Sequence, residues 1–213
     1  MLKLILESLN KNQLLVFEKL SAFKDFGVLG GGTALSLQIG HRVSYDFDIF
    51  THEKLKSSLW KKAKEVFGNN SEKLLNTEDQ LNLLTPESVY VTFFYDEYQS
   101  LFNPIKTVSI NLLDLKDIAA NKTYVLGKRP KWRDYVDLYF LLKEKYISLE
   151  ELINLSLKKF SNDFSEKLFL EQLIYWDDVE DYEITFLNKE VPSEKIKEFL
   201  EKEVKAFKNK TLG

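Results

Sequence analysis

The sequence predicts an α+β fold, in which a mixed sheet with flanking helices is followed by a helical C-terminal half. Two patterns lead to this prediction. Short segments with alternating polar and apolar residues lie between residues 28 and 95, and the apolar spacing becomes helical from residue 114 onward. The chain has 213 residues, 44% of them apolar, which is enough for one core or two small packed lobes. We therefore expect an α/β core with its N-terminal helices at residues 1–113 and a helical subdomain packed on it at residues 114–213.

The first elements are predicted from apolar spacing and from glycines. Residues 2–24 carry apolar residues at helical spacing and are predicted to form a helix. Val28-Leu29 is typical of a short buried strand, and the glycines at 30–32 end it. Thr33 is a favourable N-cap for the short helix that follows, and Gly40 is a favourable residue to end that helix.

The remainder of the N-terminal half is predicted to add strands around one helix. Tyr45–Phe50 alternates between polar and apolar residues, which indicates a strand with one buried face. Residues 53–67 have the pattern of an amphipathic helix. An antiparallel extension of the sheet is predicted at residues 74–77, 81–84 and 89–95. The aromatic run Phe93–Tyr95 is expected to lie in the core, with stacking on a base as the alternative for which the sequence offers no support.

The C-terminal half is predicted to be mostly helical. Helical patterns begin near Asp114 and Arg133, a further one covers Phe164–Trp176, and a last helix follows Pro192. Ser148-Leu-Glu-Glu151 has the pattern of a capping box, so a helix is expected to start there.

Composition excludes several classes of protein. The chain has no cysteine, which excludes disulfide scaffolds, zinc ribbons and thiol nucleophiles. It has two histidines, which argues against a histidine-rich metal site. A net charge of -3 argues against a strongly basic nucleic-acid binder, although a local basic patch remains compatible with it. The N-terminus lacks a signal-peptide pattern and no long apolar run occurs, so we expect a cytoplasmic protein. Any chemistry would therefore depend on carboxylates, lysines, backbone amides and a hard metal ion.

The most unusual residues cluster between Gly30 and Phe50. Consecutive glycines followed by a helix place unpaired N–H groups where a phosphate can bind. Asp46 and Asp48 are two apart on a predicted strand, so both carboxylates leave the same face, and Mg²⁺ prefers such oxygen ligands. Taken singly, each pattern is also common in a plain turn or on a solvated strand face. Their order along the chain favours a phosphate site beside metal ligands.

These residues carry a resemblance to a known family. Gly31-Gly32, thirteen intervening residues and Asp46-Phe47-Asp48 resemble the signature of polymerase-β-like nucleotidyltransferases. The fuller pattern, with Gly-His-Arg-x-Ser-x-Asp-x-Asp-x-Phe starting at Gly40, resembles the AbiEii/AbiGii toxin family. A second matching block comprises Leu115-Lys-Asp-Ile-Ala-Ala-Asn-Lys122, Arg129 and Lys131-Trp-Arg-Asp-Tyr-Val-Asp-Leu138. The resemblance therefore covers nearly the whole chain.

The resemblance implies a fold, an activity and partners. It implies a nucleotidyltransferase-like sheet and transfer of a nucleoside monophosphate from an NTP to an acceptor, with one or two Mg²⁺ ions as cofactor. An RNA acceptor such as tRNA, and a winged-helix antitoxin in a type IV toxin–antitoxin or abortive-infection pair, are the implied partners, and no membrane partner is expected. An alternative from a different class is a catalytically silent nucleotide-binding module that acts through protein partners.

The resemblance also assigns site residues. The implied catalytic residues are Asp46, Asp48, Lys122 and Asp134, with Asp46 and Asp48 as the metal ligands. The implied nucleotide-binding residues are Gly31, Gly32, Thr33, Arg42, Ser44, Arg129 and Asp137. Structural alternatives stay open at several positions: Lys122 as an ordinary surface lysine, Arg129 as a partner of Asp134, and Arg42 as a partner of Asp46. Of Asp134 and Asp137, Asp134 is favoured for chemistry and the other is left as an N-terminal cap or a salt-bridge partner.

One position departs from the family pattern. Related sequences carry a third acidic residue on a later strand, where this chain has Thr92. Three consequences are left open: weaker metal binding, substitution of the missing acid by another carboxylate such as Asp134, and loss of catalysis.

A basic segment supplies the one local indication of an RNA acceptor. Residues 116–133 contain six basic residues and one acidic residue, a net charge of about +5 in a chain of net charge -3. A solvated basic loop is the equally acceptable alternative.

Overall fold

The computed structural model describes residues 3–126, 128–179 and 182–212. The chain divides into two compact units, an N-terminal unit at residues 1–114 and a C-terminal unit at residues 115–213. The N-terminal unit contains a mixed sheet with helices, and the C-terminal unit is helical. The predicted α+β fold class is therefore confirmed.

The N-terminal unit is built around one sheet. Its helices are α1 (Lys11–Lys19), α2 (Gly31–Ile39) and α3 (Ser58–Phe67). Its strands are β1 (Val28–Gly30), β2 (Phe47–Thr51), β3 (Glu72–Asn76), β4 (Gln80–Leu84) and β5 (Tyr90–Tyr95). The order across the sheet is β1-β2-β5-β4-β3. Strands β2 and β5 are parallel and the other neighbours are antiparallel, which confirms the antiparallel extension predicted for β3, β4 and β5.

The two faces of this sheet have opposite character. One face is the core, whose strand residues are completely buried and comprise Leu29, Phe47, Ile49, Leu81, Leu83, Val91 and Phe93. The other face carries half-buried side chains at the alternate positions, among them Asp48, Phe50, Thr92 and Phe94. The predicted alternation in β2 is confirmed. The prediction that Phe94 lies in the core with Phe93 is wrong, because successive side chains of a strand point to opposite faces.

The continuous helix predicted over residues 2–24 is also wrong. A short 3₁₀ turn, Leu6–Ser8, precedes α1, and a second one, Leu20–Phe23, follows it. Asn10 separates the first turn from α1, because its side chain accepts the Gln13 N–H while the Gln13 side chain accepts the Asn10 N–H. This reciprocal capping box ends the earlier segment although the apolar spacing continues through it.

Two further helix starts differ from the sequence prediction. Helix α2 begins at Gly31 with Gly30 as its N-cap, so Thr33 lies inside the first turn and is not the cap. Gly40 ends α2 in the left-handed conformation, as predicted. Helix α3 begins at Ser58, later than predicted, and in the irregular segment before it the Leu55 N–H donates to the Glu78 carbonyl.

The C-terminal unit consists of packed helices. They are α4 (Leu115–Leu126), α5 (Trp132–Lys143), α6 (Leu149–Phe160), α7 (Glu166–Gln172) and α8 (Ser193–Leu212). The predicted start of α6 is confirmed, since the Ser148 side chain accepts the Glu151 N–H. Helix α7 is shorter than predicted, and Ser165 caps its N-terminus. Among the helices in the described ranges, none has the length and apolar character needed to cross a membrane.

Candidate functional site

The glycines at the start of α2 are packed closely against the other candidate residues. A Cβ atom on Gly31 would lie 2.4 Å from Oδ2 of Asp48, and Gly31 has a φ of +66° that favours glycine. A Cβ atom on Gly32 would lie 2.6 Å from Nη2 of Arg42 and 2.9 Å from Oγ of Ser44. The structure therefore brings five of the predicted residues of this unit together around the N-terminus of α2.

The loop that leads into β2 is fixed by hydrogen bonds to helices. The Thr33 hydroxyl donates to the Asp46 carbonyl at 2.5 Å, and the Ser36 hydroxyl donates to the Arg42 carbonyl. Gln13 Nε2 of α1 donates to the Ser44 carbonyl at 2.6 Å. Thr33 therefore helps to position Asp46 through its side chain, in addition to any role of its backbone amide. The sequence did not identify Gln13 as a residue that supports the site. The one indication in the sequence is that Gln13 lies three residues after Asn10, which is the spacing of a capping box.

At the N-terminus of α2, the positive end of the helix dipole lies close to the positive charge of Arg42. Arg42 is buried, with 4% of its surface exposed, and its Nη1 donates to the Val43 carbonyl at 2.9 Å. The first N–H groups of α2 receive no side-chain cap from Gly30. A helix N-terminus without a side-chain cap, next to a guanidinium group, is an arrangement that suits a phosphate or another anion.

The carboxylates of Asp46 and Asp48 suit a magnesium ion. Both side chains are half-buried and leave the same face of the chain, Asp48 within β2 and Asp46 one residue before it. Mg²⁺ is commonly held by one or two carboxylates together with water and substrate phosphates, so two carboxylates beside a phosphate cradle are a sufficient protein donor set. Within residues 3–126, 128–179 and 182–212, no group of three His, Asp or Glu side chains is arranged to hold a metal.

Thr92 lies where a third carboxylate would complete the pair. In the parallel pairing of β2 with β5, Thr92 is the residue directly beside Asp48. Asn82 of β4 is in turn the partner of Thr92. The row across the sheet therefore reads Gly30, Asp48, Thr92 and Asn82, with Asp48 as its one acidic residue.

A second group of candidate residues lies in the C-terminal unit and is buried. Nζ of Lys122 on α4 is 2.5 Å from Oδ1 of Asp134 and 2.6 Å from Oδ2 of Asp137, both on α5. Both carboxylate side chains are completely buried and the lysine side chain is 7% exposed. The alternative that Lys122 is an ordinary surface lysine is therefore wrong. Two buried carboxylates share the amino group of one lysine, which makes this arrangement sensitive to loss of the lysine.

Arg129 is the exposed member of this second group. Its Nε lies 3.8 Å from Oδ2 of Asp134, and its side chain is 51% exposed, so the structural pairing with Asp134 exists as a long ion pair. Oδ2 of Asp134 is buried and has no hydrogen-bond partner in the described part of the chain. Asp134 thus presents one oxygen bound to Lys122 and one oxygen with unused acceptor capacity.

The sequence did not indicate the charged and polar groups that surround this second group. Lys159 on α6 and Asp117 on α4 form a buried ion pair at 3.0 Å. Burial raises the pKa of Tyr135 to about 12, so its hydroxyl keeps its proton and donates to the Gln172 and Tyr175 carbonyls. The ion pair joins α4 to α6, and the Tyr135 hydroxyl joins α5 to the end of α7 and to the turn that follows it.

The basic segment at residues 116–133 carries less unpaired charge than its composition suggested. Lys116 is 2.5 Å from the Glu151 carboxylate, and Lys122 is held by two aspartates. Nζ of Lys128 lies 3.5 Å from the centre of the Tyr124 ring. With the long ion pair of Arg129 to Asp134, at least three of the six cations pair with carboxylates, and Lys128 lies over an aromatic ring.

Comparison with known proteins identifies the family of the chain. A family model of nucleotidyl transferase AbiEii toxins of type IV toxin–antitoxin systems matches residues 14–98 and 81–211. An uncharacterized protein of Aquifex aeolicus is 30% identical over 208 residues, which cover 95% of this chain and 98% of that protein.

Solved structures share the fold. A structure described as a putative nucleotidyltransferase from H. pylori has a TM-score of 0.61 and 22% identity, covering 95% of this chain and 97% of that chain. MenT4, a nucleotidyltransferase toxin from Mycobacterium tuberculosis, has a TM-score of 0.63 and 14% identity, covering 91% of this chain and 81% of that chain. At these identities the similarity concerns the fold alone.

Proposed function

This chain belongs to the AbiEii nucleotidyl transferase toxin family, and on that premise we propose that it transfers a nucleoside monophosphate from an NTP to an acceptor hydroxyl. The observation that carries the proposal is the close approach of the Gly31 backbone to the Asp48 carboxylate. It puts an N-terminal helix turn, which suits phosphate, directly beside a carboxylate that suits a metal.

The N-terminal unit supplies phosphate binding in this proposal. The N–H groups of Gly31, Gly32 and Thr33 would donate to the triphosphate, because they belong to the first turn of α2. Arg42 and Ser44, which lie against Gly32, would add a cation and a hydroxyl on the same side. Glycine is favoured at position 31, where φ is +66° and a Cβ would meet the Asp48 carboxylate, whereas a Cβ at position 32 would displace the Arg42 and Ser44 side chains.

Asp46 and Asp48 would hold one or two Mg²⁺ ions. Bound Mg²⁺ would neutralise phosphate charge and polarise the α-phosphate for attack. The hydrogen bond from Thr33 to the Asp46 carbonyl orients the backbone at the first of the two carboxylates. The pairing of β2 with β1 and β5 fixes the second one.

The family pattern also assigns residues of the C-terminal unit to the reaction, and we propose that Lys122 and Asp134 contribute to it. Asp134 and Asp137 are completely buried around Lys122, so this group would act by holding α4 and α5 in place and would not contact the acceptor hydroxyl. In the reaction the acceptor oxygen would bond to the α-phosphorus, its proton would pass to water, and the bond to pyrophosphate would break. Arg129, whose side chain is 51% exposed, would contact phosphate oxygens.

The acceptor and the biological role are proposed from the family. An RNA acceptor such as tRNA is the leading candidate, and the exposed Arg129 with the neighbouring basic residues would contact its phosphates. The family description places such proteins in type IV toxin–antitoxin systems, so we propose a toxin restrained by an antitoxin, for which a winged-helix protein is our candidate. An NTP donor would place this reaction in the cytoplasm.

The proposal is tested by label transfer. The protein is incubated with each α-³²P-labelled NTP, Mg²⁺ and either total RNA or total cell protein, and the products are separated by gel electrophoresis. Transfer of label that disappears in Asp46→Asn, and that EDTA also abolishes, would support the proposal and identify the acceptor class. Absence of transfer from every NTP to either acceptor pool contradicts it.

A second candidate function is a nucleotide-binding module without catalysis. Thr92 favours it, because this residue stands beside Asp48 where the family carries an acid, and a hydroxyl is a poor substitute for a carboxylate as a metal ligand. NTP binding without label transfer would support this candidate. In that case Thr92→Asp, which restores the third carboxylate, is expected to produce measurable transfer, with Thr92→Asn as the uncharged control.

A further inference from the structure

The polar face of the sheet has a second row of side chains next to the row that contains Asp48. In the strand register, Phe50 of β2 is the partner of Phe94 of β5, and Phe94 is the partner of Gln80 of β4. All three are half-buried and point to the same face as Asp48 and Thr92, two residues along each strand. An aromatic row therefore runs parallel to the metal-binding row, on the face opposite the core.

The aromatic row begins at the glycine segment. A Cβ atom on Gly30 would lie 2.6 Å from the Phe50 ring, so this ring lies flush against the residue that precedes the phosphate cradle. The Phe94 ring is stacked on the Phe50 ring, with centroids 5.6 Å apart and an interplanar angle of 26°. Two rings thus form a continuous aromatic surface that extends from Gly30 across β2 and β5.

Amide groups border the far end of this surface. Gln80 follows Phe94 in one row and Asn82 follows Thr92 in the other, and Gln80 Nε2 donates to Asn82 Oδ1 at 2.8 Å. Side-chain amides pair with the edges of nucleobases, and aromatic rings stack on their faces. The combination of a stacking surface and amide groups is the chemistry that recognises a nucleobase.

We propose that Phe50, Phe94, Gln80 and Asn82 form a nucleobase subsite beside the phosphate and metal site. The proposal rests on the proposed function, because phosphate bound at Gly31 and Gly32 would place the rest of the nucleotide near Gly30, which lies against the Phe50 ring. Phe94 stacks on the base, and Gln80 and Asn82 contact its edge and set the preference among bases. The base belongs either to the NTP or to the terminal nucleotide of an RNA acceptor.

The test separates base binding from phosphate binding. Isothermal titration calorimetry with Mg²⁺ compares each of the four NTPs, tripolyphosphate, which has no base, and a short single-stranded oligoribonucleotide. Base–aromatic stacking contributes about 1–3 kcal/mol, so Phe94→Ala is expected to weaken binding of the base-containing ligand by about 5-fold to about 150-fold. Tripolyphosphate affinity is expected to change by less than about twofold. Loss confined to the NTP identifies the donor base, and loss confined to the oligoribonucleotide identifies the acceptor base.

Further variants guard against a structural artefact. Phe94→Leu keeps apolar volume without a ring, and Gln80→Ala is expected to change the order of affinity among the four bases while Phe94 remains. Phe26→Ala is the matched control, because Phe26 is a half-buried aromatic residue in contact with Phe93 on the core side. This control is expected to lower stability but to leave the ratio of NTP to tripolyphosphate affinity unchanged.

The outcomes distinguish the two proposals. A wild-type protein that binds neither NTP nor tripolyphosphate overturns the proposed function and the subsite with it. A wild-type protein that binds NTP, with unchanged affinities for NTP and oligoribonucleotide in both Phe94 variants, overturns the subsite alone. Equal loss of NTP and tripolyphosphate binding in Phe94→Leu also overturns it, because a base subsite does not contact tripolyphosphate.

Discussion

The two units carry aspartate pairs that differ in burial and in partners. Asp46 and Asp48 are half-buried on a sheet face beside backbone glycines, where a ligand can reach them. Asp134 and Asp137 are completely buried and share the amino group of Lys122. The spacing of two aspartates in the sequence therefore does not determine whether their carboxylates face a ligand or an internal lysine. The first pair suits an external cation, whereas the second pair already has a cation supplied by its own chain.

The largest expected effect is on stability in the C-terminal unit. Lys122→Met leaves two buried carboxylates without their cation, so we expect a loss of about 3–5 kcal/mol in the free energy of unfolding. Urea unfolding followed by circular dichroism measures it. Asp48→Asn, in the half-buried pair, is the comparison variant and is expected to change stability by less than about 1 kcal/mol. Equal stability of Lys122→Met and wild type would remove the distinction between the two pairs.

The next effect is on activity in the N-terminal unit. Asp48→Asn removes the charge of a carboxylate that we propose as a metal ligand, so we expect label transfer to fall by about 10²- to 10³-fold while the melting temperature stays close to that of the wild type. Initial rates at saturating Mg²⁺ and NTP provide the measurement. A variant that keeps half of the wild-type rate would show that this pair does not hold the metal.

A smaller effect is expected from the glycine next to Asp48. Gly31→Ala places a Cβ 2.4 Å from the Asp48 carboxylate at a φ of +66°, so we expect a cost of about 1–3 kcal/mol in stability together with weaker NTP binding. Calorimetric titration and thermal melting measure the two quantities. Gly68→Ala is the control, because its φ of +129° is also positive but its nearest neighbour is the Pro86 side chain at 3.2 Å. Equal losses of NTP affinity in both variants would contradict a specific role for Gly31.

The smallest effect is a pH dependence of stability. Burial raises the pKa of Glu87, but hydrogen bonds, led by the one from Lys19, outweigh it and hold this pKa below the ordinary value of 4.5. Because the folded-state pKa is the lower one, the contribution is fully present above about pH 4.5 and is lost as pH falls through the folded-state pKa. We expect at most about 1 kcal/mol, measured by urea unfolding between pH 6 and pH 3. Glu87→Gln should abolish this part of the dependence, and an unchanged profile in that variant would refute it.

Most of the fold was predictable because its signals are local. Alternation in β2 and helical spacing from residue 114 onward depend only on near neighbours in the chain, and both predictions are confirmed. Helix starts were less predictable. Asn10 interrupts an apolar pattern that continues on both sides of it, and α2 begins two residues before the Thr33 cap that the sequence suggested.

The candidate site was predictable as a set of residues but not as an arrangement. The family pattern identified Lys122, Asp134 and Asp137, yet the burial of all three depends on the packing of α4 against α5. Likewise, Thr92 was recognised as a departure from the family, but its place beside Asp48 follows from a parallel strand pairing across more than forty residues of chain. Neither relation has a signal in local spacing.

By itself the sequence determined the α+β class, the carboxylate and glycine motifs and the family, because periodicity and motif spacing are properties of short stretches. Only the tertiary structure decided which aspartates are open to a ligand and which are closed around a lysine. It also decided that Phe94 shares a face with Asp48 while Phe93 enters the core. The physical reason is that strand register and helix packing set burial, and burial determines whether a charged or aromatic side chain can meet a substrate.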